Sequence, residues 1–193
     1  MMMPTGLDAM PEVHLPDHYD VINGVIVELP PSSLYPSEVA NRLSDAIHEF
    51  QAVKARIGRL RMDMQFRYSL PEDPARARDP DLAFISYQRW PVDRPLPFHG
   101  NPIDVVPDLV VEVASPNNEA EELLAKVFEY LRAGARLVWL VYPRFRQIYA
   151  YTSVSGAPRV YTETDSLDGG EVLPDFSTPM AGLFPRNADE KPA

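Results

Sequence analysis

Two acidic residues stand in a stretch of sequence that has the pattern of a buried strand. In residues 107–114, PDLVVEVA, the alternation of side chains places Asp108 and Glu112 on one face. An ionised carboxylate inside an apolar strand is costly unless it is paired or bound to a metal ion. This segment is therefore where chemistry is expected first.

Two residues outside this strand could complete a site. Asp81 begins the preceding strand, 81–86, and can approach Glu112 if the two strands pair, while Lys126 lies on a predicted helix. Two adjacent carboxylates repel each other, and Mg²⁺ or Mn²⁺ would relieve that repulsion. Lys126 could then stabilise developing negative charge or lower the pKa of an attacking water. Asp108 is about 13 Å from Glu112 along an extended strand, so we expect it to support the site without contacting the metal.

A structural ion pair explains the same residues equally well. Glu122 and Lys126 are four residues apart, the commonest solvent-face arrangement on a helix. Asp108 could be satisfied by backbone groups where the strand begins. The pattern alone leaves a metal-dependent site and a structural ion pair open.

Composition restricts the class of protein. The chain has 193 residues, enough for one domain with a sizeable core, and no cysteine, which excludes disulfides, zinc–thiolate sites and a cysteine nucleophile. No apolar run is long enough to span a bilayer and no signal peptide is recognisable, so we expect a cytoplasmic protein without a membrane partner.

Charge counts against a protein that coats DNA without specificity. The net charge is −10, whereas such binding depends on cations that neutralise phosphates. The basic residues are nevertheless uneven, with Lys54, Arg56, Arg59 and Arg61 close together. We interpret this stretch as a solvated helix end and loop, with nucleic-acid binding as the weaker alternative.

The remaining patterns predict one mixed α/β sheet. Asn23-Gly24 indicates a hairpin turn, Ser33 or Ser37 can cap the first helix, Gly58 would end it, and Ser115 or Asn118 can cap the second. The predicted elements are a hairpin at 19–29, a helix at 38–57, strands at 61–70 and 81–86, an irregular loop at 90–106, a strand at 105–114, a helix at 119–133, a strand at 137–141, and a strand pair at 146–152 and 159–163. Met62, Met64, Phe66 and Tyr68 should share one face of the 61–70 strand.

Several of these segments together resemble one protein family. They are DPDLAFI, PDLVVEVASP, the spacing of Lys126, Tyr130 and Gly134, LVWLVYP, LPDFSTPMAGLF and, near the start, NGVIVELPPSS. Through these segments the chain resembles the Uma2 family, which was once called DUF820. The family comprises restriction-endonuclease-like proteins of the PD-(D/E)xK nuclease superfamily.

The resemblance implies a fold and a set of site residues. It implies an αβββαβ core with a mixed sheet flanked by helices, which the predicted element order contains, with the N-terminal hairpin and C-terminal strand pair added. Asp81 and Glu112 would match the superfamily's two acidic residues. Ala114 stands where its lysine is expected, and Lys126 would be that lysine moved to the following helix. Glu38 could match an acidic residue that some members carry on the first helix.

We therefore expect residues 19–185 to form a single endonuclease-like domain, with a loose arm at 1–18 and a disordered tail at 186–193. His14 and His18 flank Pro16 and are interpreted as residues of that arm. The expected function is Mg²⁺- or Mn²⁺-dependent cleavage of DNA. The alternative is an inactive nuclease-fold module for interaction or regulation, and a homodimer stays open.

Overall fold

A computed structural model describes residues 15–31, 33–54, 56–96, 102–116 and 118–186. Most of the predicted arm, including His14, and almost all of the predicted tail lie outside these residues. The helices are α1 (Leu34–Val53) and α2 (Ala120–Ala133). The strands are β1 (Tyr19–Ile22), β2 (Val25–Glu28), β3 (Gly58–Arg61), β4 (Phe66–Arg67), β5 (Ala77–Arg78), β6 (Leu82–Ser86), β7 (Leu109–Val113), β8 (Leu137–Tyr142), β9 (Gln147–Tyr151), β10 (Arg159–Tyr161), β11 (Ser166–Gly169) and β12 (Leu173–Pro179).

A six-stranded mixed sheet forms the centre, in the order β10-β9-β8-β7-β6-β3. Its strands pair antiparallel except β7 and β8, which are parallel and are joined through α2. A parallel pair needs such a crossover, and a helix is its usual form. The predicted mixed sheet, the crossover and the C-terminal strand pair are confirmed.

The two faces of this sheet carry separate apolar clusters. Leu109, Val111 and Val113 pack on one face with α1 and the β11–β12 hairpin. Val110 packs on the other face with α2. The strict alternation predicted for β7 is thus confirmed, and it is the reason that Glu112 points to the side of α2.

A smaller sheet, in the order β2-β1-β5-β4, lies beside the central one. Its hairpin turns at Asn23 and Gly24, whose φ angles of 51° and 76° are the positive values that the predicted turn requires. β5 was missed, because it lies in the proline-rich and charged segment 71–80 between two predicted strands.

The first helix was predicted about one turn too late in the sequence. α1 begins at Leu34, because Pro36 falls in the first turn, where its missing N–H would have no intrahelical partner. Gly58 does not end the helix: it lies in β3, where a Cβ would approach the Phe84 ring and the Ile85 carbonyl oxygen to 2.4 Å. The Gln51 side chain accepts hydrogen bonds from the backbone at the start of β3, which turns the chain there.

Two further details of the prediction were wrong. The predicted 61–70 strand is interrupted, since Asp63 has a φ of 49°; Met62 therefore packs against one cluster and Met64 against the other. The second helix is preceded by Glu119, and no side chain caps it; Asn118 instead accepts a hydrogen bond from the Ser115 N–H. No helix in the described part of the chain is both long and apolar enough to cross a membrane.

Candidate functional site

Asp81 and Glu112 meet at one end of the β6–β7 pair. The register pairs Leu82 with Val111, which places Asp81 opposite Glu112 just beyond it. The Val113 N–H donates to Asp81 Oδ2 at 2.7 Å. The approach of the two carboxylates expected from strand pairing is therefore present.

Glu112 is held by two side chains from one face of α2. The Tyr130 hydroxyl donates to Glu112 Oε1, and Lys126 Nζ lies 3.5 Å from Glu112 Oε2. Lys126 and Tyr130 are one helical turn apart, so they reach the same strand residue together. Glu112 is 4% exposed, and this pairing offsets the cost of its burial.

Asp20 on β1 is a third carboxylate in this cluster, and it was not among the predicted site residues. Its Oδ2 lies 3.7 Å from Lys126 Nζ and 2.7 Å from Arg78 Nη1, and its Oδ1 accepts the Asp79 N–H. Asp20 is 1% exposed. Asp20, like Glu112, is a carboxylate inside an apolar strand, and that pattern is the signal by which it could have been predicted.

Arg78 extends the network away from the lysine. Its guanidinium also donates to Glu129 of α2, which lies 3.6 Å from Arg76. The smaller sheet is thereby tied to α2 through buried charges. This coupling fixes Asp20 relative to Lys126.

Burial and mutual repulsion shift the carboxyl pKa values upward. Burial, with repulsion by Glu112, raises the pKa of Asp81 to about 7. Burial also raises the pKa of Glu112, although Lys126 and Tyr130 partly offset it. Burial lowers the pKa of Lys126, but the carboxylates of Glu112 and Asp20 outweigh this and raise it. Lys126 therefore stays cationic, and Asp81 gains or loses its proton near neutral pH.

A cavity of about 90 Å³ opens beside these residues and is lined by Asp81, Glu112 and Lys126. A bound water needs roughly 10–15 Å³, so the cavity has room for several waters or for an ion with part of its hydration shell. His18 and Asp79 form another part of the wall, with His18 Nδ1 2.9 Å from Asp79 Oδ2. This hydrogen bond raises the pKa of His18.

The chemistry of the donors suits a hard divalent cation. Asp81 and Glu112 offer carboxylate oxygens to the cavity, and Mg²⁺ typically uses one or two carboxylates with waters. Burial is the main cause of the raised pKa of Asp81 and repulsion by Glu112 is the second, and a cation would relieve that repulsion. Among the described residues, no group of three or more His, Cys, Asp or Glu side chains is arranged to hold a metal. Any ion here would depend on water for the rest of its coordination.

Two predicted site residues lie apart from this cluster. Asp108, at the opposite end of β7, accepts the Ser86 N–H and lies 3.0 Å from Arg89 Nε. Glu38 is on the surface of α1 and pairs with Arg42. Neither residue lines the cavity.

The basic stretch also lies away from the cavity. Lys54 is 3.9 Å from Asp175, and the guanidinium of Arg59 donates to the Val92 carbonyl. Arg61 donates to its neighbouring carbonyl, and Arg56 is exposed. None of the four is among the cavity-lining residues, so their predicted role in nucleic-acid binding gains no support from the site's geometry.

Known proteins resemble this chain both in sequence and in fold. A family model described as "Uma2: Putative restriction endonuclease" matches residues 6–181. A crystal structure of a putative nuclease belonging to DUF820 from Anabaena variabilis ATCC 29413 superposes with a TM-score of 0.69 and 16% identity, over 86% of this chain and 89% of that one. No curated protein sequence matches the chain.

Proposed function

The chain belongs to the Uma2 family, and on that premise we propose that it is a metal-dependent endonuclease that hydrolyses DNA phosphodiester bonds. The observation that carries the proposal is the meeting of Asp81 and Glu112 at one cavity wall, with Lys126 3.5 Å from Glu112. Phosphodiester hydrolysis needs a positive centre for the phosphate and an activated water. Two carboxylates and a lysine at one opening can supply the protein's part of both.

Asp81 and Glu112 would hold Mg²⁺ or Mn²⁺. Asp81 keeps its oxygen orientation through the Val113 N–H, and Glu112 through Tyr130. A bound divalent cation would polarise a phosphoryl oxygen and lower the pKa of a water. Each carboxylate oxygen has more than one lone pair, so these hydrogen bonds leave capacity for a cation.

Lys126 would stabilise the negative charge that develops on the phosphate. Such stabilisation is strongest where the donor is fixed in place and shielded from water. The Lys126 side chain is 17% exposed, and Asp20 and Glu112 hold it from two sides. Asp20 and Tyr130 would be positioning residues, and Asp108 would hold the far end of β7 through Ser86 and Arg89.

A DNA cleavage assay with isosteric variants tests this proposal. Supercoiled plasmid, single-stranded DNA and branched DNA are incubated with wild type, Asp81→Asn and the control Glu38→Gln in Mg²⁺ or Mn²⁺. We expect Asp81→Asn to lose at least about 100-fold in rate, as when a preorganised electrostatic contact is removed. The control should cleave like wild type, because the Glu38 side chain is half-buried on the surface of α1, pairs with Arg42 and lies outside the cavity. Cleavage by Asp81→Asn at the wild-type rate would refute the assignment.

One observation favours a second candidate, an inactive nuclease-fold module for interaction or regulation. Both oxygens of Glu112 already have partners, Tyr130 and Lys126, so its charge is compensated without a metal. Calorimetry with Mg²⁺ and Mn²⁺ separates the two candidates. Heat of binding that is absent in Asp81→Asn supports the nuclease, whereas no binding and no cleavage of any substrate support the module.

A further inference from the structure

A second and larger groove lies next to the carboxylate cavity. Its volume is about 600 Å³, within the range of about 300–1,000 Å³ typical of ligand sites. Its walls are the start of α1, the segment after β7, the start of α2 and the turn after β8. It thus lies outside the carboxyl ends of the parallel strands β7 and β8, where open α/β sheets commonly bind ligands.

The groove and the cavity adjoin each other. Pro36, Ser115 and Asn118 line both. Glu112 is the last residue but one of β7, and Ala114, two residues later along the chain, lines the groove. A chain-like ligand with one phosphate in the cavity would therefore pass directly into the groove.

The turn after β8 presents an aromatic ring to the groove. Phe145 is 66% exposed, and its ring centroid lies 6.4 Å from that of Tyr142, which in turn contacts Tyr149 at 5.4 Å. Tyr142 thus packs against both of the other rings. An exposed phenylalanine in a groove offers a flat apolar face on which a planar group can stack.

The charge of the groove is opposite to that of the chain as a whole. The described residues that line it include Arg144 and Arg146 but no aspartate or glutamate, although the net charge of the protein is −10. Arg146 is paired with Glu163, and Arg144 is exposed. Both helices begin at this groove, and the residues before them, Ser33 and Glu119, make no side-chain cap hydrogen bond. The first turn of α1 has no acidic residue, so its N-terminus and the arginines favour an anion, whereas the first turn of α2 already carries Glu121 and Glu122.

We propose that this groove binds an unpaired nucleotide of the DNA substrate, with its base stacked on Phe145 and a phosphate near Arg144. The proposal rests on the proposed nuclease function and specifies its substrate class as DNA with a single-stranded or unstacked segment at the cleavage site. A planar base matches the exposed ring, and a phosphate matches the local positive charge. In duplex DNA the faces of the bases are covered by their neighbours, so only an unpaired segment can use the ring.

The test is binding of fluorescein-labelled DNA, measured by anisotropy in Ca²⁺ with the full-length protein. The probes are a short oligothymidine strand and a duplex of the same length. The variants are Phe145→Ala, Phe145→Trp and Arg144→Gln. Arg159→Gln and Val160→Ala are matched controls, since these neighbouring residues on β10 are exposed and outside the groove. Thermal unfolding confirms that each variant is folded.

We expect wild type to prefer the single strand, and Phe145→Ala to weaken single-strand binding about tenfold or more, as loss of one base–aromatic stack does. Phe145→Trp should retain the preference, and both controls should bind like wild type. Arg144→Gln should weaken binding and reduce its dependence on salt concentration. Equal single-strand affinity in wild type and Phe145→Ala, or no DNA binding at all, would overturn the proposal.

The outcomes also separate this proposal from the nuclease function. If cleavage requires Asp81 but DNA binding is unchanged by Phe145→Ala, the proposed role of the groove is rejected and the proposed nuclease function stands. If single-strand binding requires Phe145 but no DNA is cleaved, the proposed nuclease function is rejected and the groove stands as a binding site for unpaired DNA. Binding of an adventitious kind would be equally strong in the Phe145→Ala and wild-type proteins, and it counts against the groove.

Discussion

Replacing Asp81 by asparagine should stabilise the metal-free protein, and the gain should grow with pH. The Asp81 carboxyl is buried beside Glu112, so its ionised form opposes folding. Asparagine is isosteric, still accepts the Val113 N–H, and carries no charge. The substitution therefore removes the electrostatic cost while it keeps the hydrogen bond.

The size and sign of this effect follow from the pKa. Folding raises the pKa of Asp81 from 3.8 to about 7. At about 1.36 kcal/mol per pKa unit the ceiling is about 4 kcal/mol, and because the side chain keeps contact with solvent we expect roughly 2 kcal/mol. The folded state binds the proton more tightly, so this contribution to wild-type stability is full below about pH 4 and is lost as pH rises through about 7.

Urea denaturation of wild type and Asp81→Asn in EDTA, at about pH 5 and about pH 8.5, measures the difference directly. The advantage of Asp81→Asn should be small at the lower pH and largest at the higher one. Asp104→Asn serves as control, because Asp104 is 67% exposed and should show no such trend. An advantage that does not change with pH would refute the burial argument.

Adding a divalent cation at the higher pH should reverse the order of stabilities. A cation at about a hundred times its Kd stabilises a protein that binds it by about 2.7 kcal/mol, and Asp81→Asn should not gain this. Ca²⁺ or Mg²⁺ that stabilises both proteins equally would show that Asp81 is not a ligand. Because unfolding is measured, this outcome does not depend on finding a DNA substrate.

Three further substitutions probe the surroundings of the site. Lys126→Met should cost about 3–5 kcal/mol of unfolding free energy, because it leaves the buried Glu112 without its cation, whereas Lys54→Met should cost under about 1 kcal/mol; equal losses in urea denaturation would contradict this. Tyr130→Phe should cost about 1.5–3 kcal/mol by the same assay, since it removes a hydrogen bond to charged Glu112, and an unchanged midpoint would argue against that bond. Gly58→Ala should lower the thermal midpoint and cost about 1–3 kcal/mol of unfolding free energy, because the added Cβ has no space. An unchanged midpoint would contradict this packing.

The parts of the fold that repeat a local pattern could be predicted from the sequence. The alternation in 107–114, the helical spacing in 119–133 and the apolar run at 137–141 each have a period or a length that identifies the element. Short strands that exist only through partners could not be found this way. β5 has two residues, Ala77 and Arg78, and is a strand because β1 and β4 pair with it.

The candidate site likewise has some contacts that follow from local sequence patterns and others that do not. The position of Asp81 opposite Glu112 follows from two adjacent strands, so their approach could be predicted. The contact of Asp20 with Lys126 depends on how the smaller sheet packs against α2, which no local pattern encodes. Asp108 was expected to support the site because it shares a face with Glu112, but its partners Arg89 and Arg136 come from segments at the far end of the strand.

The contact between Asp20 and Lys126 joins segments separated by about half of the chain. During synthesis the N-terminal hairpin emerges long before the helix that supplies its lysine. Until residue 126 has been made and α2 has docked, neither Glu112 nor Asp20 has this compensating cation. The site therefore cannot assemble on a nascent chain, or on a truncated one, that lacks α2, and the proposed cleavage of DNA would begin only after this helix has been made and has docked.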